Sequence, residues 1–329
     1  MYLRGVRLNN IAIFAGSNND DMTRNICRFL QVHMSKSSVK KFPDSEIIVE
    51  VCSQARGKDC FIIQSICPPV NDSIMELLIF IDCLKRASAR TVSVVIPYYG
   101  YARQDRKDKG RTPITARLVA DILETAGADR VLTVDLHAKQ IEGFFDIPVD
   151  HLTAAPVFVK KLRREDLNDS IVLSPDVGNV KTASHYADEL GLDISIVHKK
   201  RIDGEKVEAE HIIGDVDGKH VLMFDDMIST AGTMCSAAKL AVSKGALSVR
   251  AFATHGLFVG SAITRLEESP INEVTVTNSI LLNEKVSQLK TVNVNVLPID
   301  YLLGEAILRI YQNRSVSVLL ESNREYDMR

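Results

Sequence analysis

Two adjacent carboxylates stand before a run of small and hydroxyl-bearing residues in the second half of the chain. Asp225 and Asp226 follow an apolar stretch, residues 221–223, that is typical of a buried parallel strand. The run after them consists of Ser229, Thr230, Ala231, Gly232 and Thr233. Small residues let the backbone approach an anion, and the helix pattern that follows presents free N–H groups at its N-terminus. The turn is therefore predicted to bind a phosphate.

The two carboxylates indicate what else the ligand carries. In contact with a phosphate they would repel it, but one turn away they can accept hydrogen bonds from hydroxyl groups of the same molecule. A sugar phosphate has both features. An ordinary strand, turn and helix with capping hydroxyls and solvated aspartates would explain any single residue of this run, but it explains the whole run less well.

Residues 221–233 resemble the phosphoribosyl pyrophosphate (PRPP) binding signature of type I phosphoribosyltransferases and of ribose-phosphate pyrophosphokinases. The resemblance implies that Asp225, Asp226 and residues 229–233 bind ribose 5-phosphate. Many family members carry an aspartate where this chain has Ser229. A hydroxyl can still donate to a phosphate, so this departure bears on the regulatory class of the protein rather than on binding.

The composition is that of a globular protein and restricts the classes of partner. The chain has 329 residues, 46% of them hydrophobic, which is enough for two domains, and its net charge of −2 argues against nucleic acid as a partner. Arg4 and Arg7 interrupt any signal-peptide pattern, and no apolar run reaches membrane length. The six cysteines show no CxxC spacing. We expect a cytoplasmic protein with reduced thiols and no membrane partner.

Strand-like and helix-like patterns alternate along both halves of the chain. Such alternation predicts a parallel sheet with helices on both faces, and a boundary is expected near residues 152–156. We predict an N-terminal α/β domain over residues 1–153 and a C-terminal one over residues 154–329, whose last helix packs on the N-terminal half. With the resemblance, the predicted fold class is α/β, with two similar type I phosphoribosyltransferase domains, each a mostly parallel sheet flanked by helices.

A turn in the first half combines an aromatic ring with carboxylates. It contains Phe42, Asp44, Ser45 and Glu46, between two short extended runs. The ring and the carboxylates could meet an adenine ring and its amino group, although Pro-Asp-Ser is also common in turns that bind nothing. The turn is similar to the Phe-x-Asp-x-Glu turn of the pyrophosphokinase family, and this resemblance implies that these four residues bind ATP.

A basic loop, residues 98–111, follows the apolar strand pattern of residues 91–96. A solvated charged loop is the ordinary interpretation, but ligands bind at the carboxyl ends of parallel strands, and arginines there can pair with a polyphosphate. The loop resembles the ATP-binding loop of ribose-phosphate pyrophosphokinases, which phosphoribosyltransferases lack. The resemblance implies that Arg103 and Gln104 contact ATP.

Two further strand ends carry possible metal ligands. Taken alone, His137 is more often a packed or capping residue than a ligand, and Asp176 is more often a helix cap. The stretches around them are similar to the Asp-Leu-His and Ser-Pro-Asp-x-Gly patterns of the family. This resemblance implies that His137 binds ATP and Mg²⁺, that Asp176 contacts Mg²⁺, and that Asp135 takes part through water.

Residues 199–208 are charged and contain a glycine, and a mobile flap is predicted there. The segment is similar to the His-Lys-x-Arg catalytic loop of the family. The resemblance implies that Lys199 and Arg201 are catalytic, acting on the transferring group, and that Arg201 also contacts ribose 5-phosphate.

The resemblance covers nearly the whole chain and implies transfer of the pyrophosphoryl group of ATP to the anomeric hydroxyl of ribose 5-phosphate, giving PRPP and AMP. It also implies a homo-oligomer, a hexamer or a dimer, with phosphate and ADP as effectors. Three alternatives stay open: a phosphoribosyltransferase, which leaves the basic loop unexplained; a non-catalytic regulatory subunit, which the retained His137, Lys199 and Arg201 disfavour; and a nucleic-acid-binding protein, which rests on the basic loop alone.

Overall fold

The computed structural model describes residues 8–107, 109–203 and 206–320, and within residues 199–210 it describes the backbone but not the side chains. The predicted catalytic residues Lys199 and Arg201 therefore have side chains outside the described part of the chain. No helix among the described residues is both long enough and apolar enough to cross a membrane. All six cysteines are free thiols.

The first half folds around a five-stranded parallel sheet with the order β1-β4-β5-β6-β7. An antiparallel hairpin, β2–β3, stands beside it. The strands are β1 (Ile11–Ala15), β2 (Ser37–Lys41), β3 (Ile47–Val51), β4 (Asp59–Ile63), β5 (Thr91–Ile96), β6 (Arg130–Val134) and β7 (Val149–Leu152). The helices are α1 (Asp20–Leu30), α2 (Val70–Arg86) and α3 (Thr115–Ala126). The central strands are buried on both faces, as strands of a covered parallel sheet must be.

The second half repeats the architecture with a seven-stranded sheet, in the order β10-β9-β8-β11-β12-β13-β14. Its strands are β8 (Ser170–Ser174), β9 (Ile194–Asp203), β10 (Lys206–Ile213), β11 (His220–Ile228), β12 (Ser248–Gly256), β13 (Ile271–Thr277) and β14 (Asn293–Leu297). Its helices are α4 (Ala155–Leu162), α5 (Val180–Leu190), α6 (Gly232–Ser243), α7 (Ala262–Glu267) and α8 (Asp300–Tyr311). Among the described pairings of this sheet, only β9–β10 is antiparallel.

The two halves share one hydrophobic core. It contains side chains of β1 and β4 from the first sheet and of β11 and β12 from the second, together with α1, α4, α5 and α8. Within it Tyr186 of α5 stacks on Phe224 with ring centroids 3.8 Å apart. Helix α8 lies against α1, where the rings of Phe29 and Tyr301 are 4.6 Å apart. This shared core holds the carboxyl ends of the two sheets in a defined relation to each other.

Three local expectations differ from the structure. Strand β11 does not end before Asp225 but runs to Ile228, because Met227 and Ile228 pair with β12. Residues 199–203 and 206–208, predicted as a flap, have a strand backbone in β9 and β10. The helical spacing of Met234, Ala238 and Ala241 predicts Val242 on the same buried face, but in the structure Val242 of α6 is 41% exposed whereas those three residues are buried.

Candidate active site

The predicted phosphate turn connects β11 to α6. Ala231 adopts a left-handed backbone with φ 60°, and α6 begins at Gly232. Arg265 of α7 donates from Nη1 to the carbonyl oxygen of Thr230 at 3.0 Å. A Cβ at Gly232 would lie 3.1 Å from that same nitrogen, so glycine leaves room for the guanidinium. The turn thus places the first N–H groups of a helix beside a positive charge, which suits a phosphate.

The acid pair lies on β11 directly before this turn. Asp226 Oδ2 is 2.7 Å from Nδ1 of His137, and the Asp226 backbone N–H donates to Asp225 Oδ1 at 2.9 Å. Burial raises the pKa of Asp225 to about 8, and the charges of Asp226 and Asp176 add to the effect. Burial would also raise the pKa of Asp226, but the hydrogen bond and charge of His137 outweigh it and lower that pKa.

The opposite shifts favour a protonated Asp225 beside an ionised Asp226. The hydrogen bond to Asp226 raises the pKa of His137 although burial opposes it. The contact between His137 and Asp226 thus favours the charged form of each group. This arrangement offers both a donor and acceptors to the hydroxyl groups of a sugar.

Asp135 lies two residues before His137 in a left-handed conformation with φ 39°. Its Oδ2 accepts hydrogen bonds from the backbone N–H of Ala154 at 2.9 Å and from the Thr254 hydroxyl at 2.6 Å. One oxygen of the carboxylate is therefore occupied at the junction between the two halves. This placement favours a structural role for Asp135 over direct ligation of a metal.

Asp176 follows β8 and caps the short helix after it. Its Oδ1 accepts from the backbone N–H of Asn179 at 3.0 Å, and the Asn179 side chain donates to the carbonyl oxygen of Phe224 at 2.6 Å. Because the charge of Asp176 helps to raise the pKa of Asp225, this carboxylate lies within electrostatic reach of the acid pair. The described residues contain no group of three or more His, Cys, Asp or Glu side chains that could hold a metal ion.

The basic loop reaches the phosphate turn from the opposite half. Arg103 Nη1 lies 3.5 Å from Ser229 Oγ, and its charge opposes the rise in the pKa of His137. Gln104 accepts from the Thr115 hydroxyl at 2.5 Å, so its carbonyl group is directed to the start of α3. The carboxyl ends of the two sheets thus bring together Arg103, His137, Asp226 and Ser229.

The predicted adenine turn is the tip of the β2–β3 hairpin. Phe42 is 48% exposed, Ser45 has φ 75°, and Asp44 accepts from the backbone N–H of Glu46 at 3.1 Å. No hydrogen bond among the described residues joins this tip to Arg103, His137 or the phosphate turn. Its predicted role in ATP binding therefore stays a prediction.

Lys199 and Arg201 lie on β9, where their backbones pair with Glu210 and Val207 of β10. Their side chains lie outside the described residues, so their predicted catalytic role is not tested by the structure.

Thr254, His255 and Arg265 contact the site although sequence reasoning did not select them. Thr254 and His255 lie at the end of β12, the strand next to β11, and Arg265 lies on α7. Polar residues at the carboxyl end of a strand are the signal that could have identified the first two. No sequence pattern distinguishes Arg265 from other surface arginines.

Comparisons with known proteins show what the chain as a whole is similar to. The N-terminal domain of ribose phosphate pyrophosphokinase matches residues 11–127, and the phosphoribosyl synthetase-associated domain matches residues 207–321. Ribose-phosphate pyrophosphokinase of Wolinella succinogenes is 49% identical over 93% of this chain and 98% of its own length. The enzyme of Rhodopirellula baltica is 48% identical over 95% of this chain and 99% of its own length.

The fold has a matching solved structure. The crystal structure of phosphoribosylpyrophosphate synthetase from Mycobacterium smegmatis aligns with a TM-score of 0.86 and 40% identity, covering 93% of this chain and all of that one. The predicted α/β fold class is confirmed by this likeness and by the two mostly parallel sheets. The sequence resemblance to the pyrophosphokinases is confirmed as well. The chain belongs to the ribose-phosphate pyrophosphokinase family.

Proposed function

We propose that the chain is a ribose-phosphate diphosphokinase, which transfers the pyrophosphoryl group of ATP to the anomeric hydroxyl of ribose 5-phosphate. In this reaction the hydroxyl oxygen bonds to the β-phosphorus, the bond from that phosphorus to the α–β bridging oxygen breaks, and the hydroxyl loses its proton. The products are PRPP and AMP. The observation that carries the proposal is the 2.7 Å contact between His137 and Asp226. It joins the segment after β6, which is proposed to bind ATP, to strand β11, which is proposed to bind the sugar phosphate.

The sugar phosphate would bind at the end of β11. Residues 229–233 would hold the 5-phosphate with backbone N–H groups of the turn and of α6. Asp225 and Asp226 would bind the ribose hydroxyls, one as donor and one as acceptor, as their opposite pKa shifts allow. Fixing the ring at two ends orients the anomeric oxygen, and orientation supplies a large part of catalysis in phosphoryl transfer.

ATP would bind on the side of the first half. Arg103 is exposed and lies against Ser229, where its guanidinium can pair with phosphate oxygens between the two substrates. Phe42, Asp44, Ser45 and Glu46 would hold the adenine ring. Lys199 and Arg201 would stabilise charge on the transferring group.

Mg²⁺ fits the chemistry of the donors near the acid pair. Burial is the main cause of the raised pKa of Asp225, and the charges of Asp226 and Asp176 add to it, so a divalent cation placed among these carboxyl groups would relieve their repulsion. His137, which must be neutral to bind a metal, and Asp176 would hold the ion, with Asp135 acting from further away because its Oδ2 is already occupied. Since Mg²⁺ keeps several waters, two protein ligands and the phosphates suffice. When bound, the ion would neutralise charge on the phosphate oxygens.

AMP release from ATP, with and without ribose 5-phosphate, tests the proposed reaction. We expect AMP only when ribose 5-phosphate is present, with no nucleobase required, which separates this reaction from that of a phosphoribosyltransferase. Absence of AMP from folded protein would contradict the proposal and favour the regulatory-subunit alternative. No contact among the described residues favours that alternative.

Replacing Lys199 tests the catalytic assignment. We expect Lys199→Ala to abolish most turnover while the protein stays folded. Lys219→Ala is the matched control, since Lys219 pairs with Asp169 away from the site. Wild-type turnover in Lys199→Ala would overturn the assignment.

The remaining features belong to the same proposal. The protein would work in the cytoplasm as a homo-oligomer, a hexamer or a dimer. Varying inorganic phosphate and ADP in the AMP assay tests both as effectors, and sedimentation of the purified protein measures the oligomeric state.

A further inference from the structure

A buried histidine behind the acid pair has no role in the proposed reaction. His255, at the end of β12, is 1% exposed. Its Nε2 lies 3.1 Å from the carbonyl oxygen of Asp135, its Nδ1 lies 2.9 Å from Ser279 Oγ, and its ring packs edge-on against Tyr98 with centroids 4.9 Å apart. Burial of an imidazole is costly unless its nitrogens are hydrogen-bonded. Both nitrogens have a partner, and one partner belongs to the other half of the protein.

Only one arrangement of protons satisfies this cluster with a neutral ring. A carbonyl oxygen can only accept, so the His255 Nε2–H donates to Asp135. With the proton of a neutral ring on Nε2, the lone pair lies on Nδ1, so Nδ1 accepts from the Ser279 hydroxyl. The carbonyl oxygen of Thr254, also within 3.0 Å of that hydroxyl, is satisfied instead by Thr277 Oγ1 at 2.7 Å. The donor to Asp135 is therefore fixed in place.

Asp135, which accepts this hydrogen bond, has a strained backbone conformation. A left-handed conformation costs a residue other than glycine of the order of 1–3 kcal/mol and persists only where its surroundings enforce it. Asp135 donates its N–H to the carbonyl oxygen of Leu152 at 3.0 Å, and its carboxylate accepts from the N–H of Ala154 at the boundary between the halves. The other two contacts come from β12: Thr254 to the carboxylate at 2.6 Å and His255 to the carbonyl oxygen.

The direction of the chain after Asp135 determines where His137 lies. The next N–H, that of Leu136, donates to His151 Nε2 at 2.9 Å, and then His137 reaches Asp226. Leu136, His137 and His255 line the same small recess at this junction, together with Tyr98 and Asp135. The contacts of β12 are thus among those that hold His137 against the acid pair.

We propose that Thr254 and His255 are positioning residues, which act through the backbone of Asp135 to hold His137 beside Asp226. The C-terminal sheet thereby sets the geometry of a segment of the N-terminal half. This inference rests on the proposed function of His137, so its test includes a structural measurement that does not depend on turnover.

The first experiment compares two buried threonines of the same sheet. Thr254→Val removes the donor to Asp135 without changing the size of the side chain, and Thr275→Val is the matched control, because Thr275 is equally buried and donates only to Glu273. We expect Thr254→Val to lower kcat by about tenfold or more, since displacement of a catalytic group by about 1 Å can cost about 10²-fold. KM for ribose 5-phosphate and the activity of Thr275→Val should not change. Wild-type kcat in Thr254→Val would overturn the proposal.

Variants of His255 separate positioning from packing. His255→Leu should lower kcat, and His255→Gln should restore part of it, because an amide nitrogen can donate to Asp135. In a double-mutant cycle, His255→Leu should have little further effect in a His137→Ala background, since its action passes through His137. Fully additive losses, or equal losses in the leucine and glutamine variants, would contradict positioning.

Crystal structures of wild type and Thr254→Val provide the measurement that is independent of activity. In the variant we expect Asp135 to leave its left-handed conformation and His137 to move away from Asp226. An unchanged distance between His137 and Asp226 would overturn the inference even if activity fell. If wild type released no AMP, the proposed function would fail, and this structural comparison would still decide the positioning.

Discussion

The two proposed substrate-binding regions are built differently. The region proposed to bind the sugar lies on β11 itself, where Asp225 and Asp226 are partly buried and the strand pairs with β12 as far as Ile228. The region proposed to bind ATP consists of loops and a hairpin tip, where Arg103, Gln104 and Phe42 are exposed. A regular strand holds its side chains without a ligand, whereas exposed loop side chains lose conformational freedom only when the ligand arrives.

This difference separates two contributions to the reaction. Changes on β11 should alter turnover and stability together, because the strand belongs to the shared core. Changes in the loops should alter the affinity for ATP and leave stability unchanged. Four predictions test this separation.

The largest effect is expected for Asp226→Ala, which breaks the contact between the two regions. The variant loses a proposed ligand of the sugar and the partner of His137. We expect kcat/KM to fall by about 10²-fold or more, since orientation of both substrates is disturbed. Steady-state AMP release measures it, with Asp226→Asn as the isosteric control, which keeps an acceptor and should lose less. Wild-type kinetics in Asp226→Ala would show that the acid pair is not part of the site.

A smaller effect, confined to ATP, is expected for Arg103→Ala. A hydrogen bond between charged groups contributes about 1.5–3 kcal/mol, so KM for ATP should rise by about 10- to 100-fold. The melting temperature should not change because the side chain is exposed. Arg24→Ala is the control, since Arg24 pairs with Asp20 on the surface of α1. An unchanged KM for ATP would remove Arg103 from the site.

Phe42→Ala should also raise KM for ATP. The proposed contact of Phe42 is with the adenine ring, at the end of ATP that is far from the reacting phosphates. Stacking of a base on an aromatic ring is worth about 1–3 kcal/mol, which corresponds to an increase of at least about fivefold. Leu118→Ala, at another exposed apolar side chain, is the control. If both variants bound ATP as wild type does, the hairpin tip would have no part in the site.

The smallest effect is expected in the free energy of unfolding, for each pH unit, measured without ligands. The pKa of Asp225 is about 8 in the folded protein against an ordinary 3.8. Between these values the folded state holds a proton that the unfolded state releases, so wild-type stability falls as the pH rises. The slope from this group is roughly 1 kcal/mol per pH unit.

Asp225→Asn removes this slope, because an amide does not titrate. The stability of the variant relative to wild type should therefore increase from about pH 5 to about pH 8, as measured by urea unfolding. Parallel pH profiles for the two proteins would contradict the protonated state of Asp225 and the rigid, buried character of the strand.

The local pattern was sufficient to predict much of the fold and part of the site. Apolar stretches of strand length alternate with helical spacing, and the predicted fold class follows from that alternation. The prediction that β11 ends before Asp225 was wrong, because two aspartates are typical of a loop when read alone. In the structure the pairing of Met227 and Ile228 with β12 extends the strand past them.

The sequence by itself determined the family, the parallel α/β architecture and the small-residue turn before α6, because these depend on residues that are close along the chain. Only the tertiary structure decided which residues meet. His137 and Asp226 are 89 residues apart, Arg103 and Ser229 are 126 apart, and Thr254 and Asp135 are 119 apart. Packing of the two sheets around one shared core brings these pairs together, and no pattern within a single segment encodes that contact.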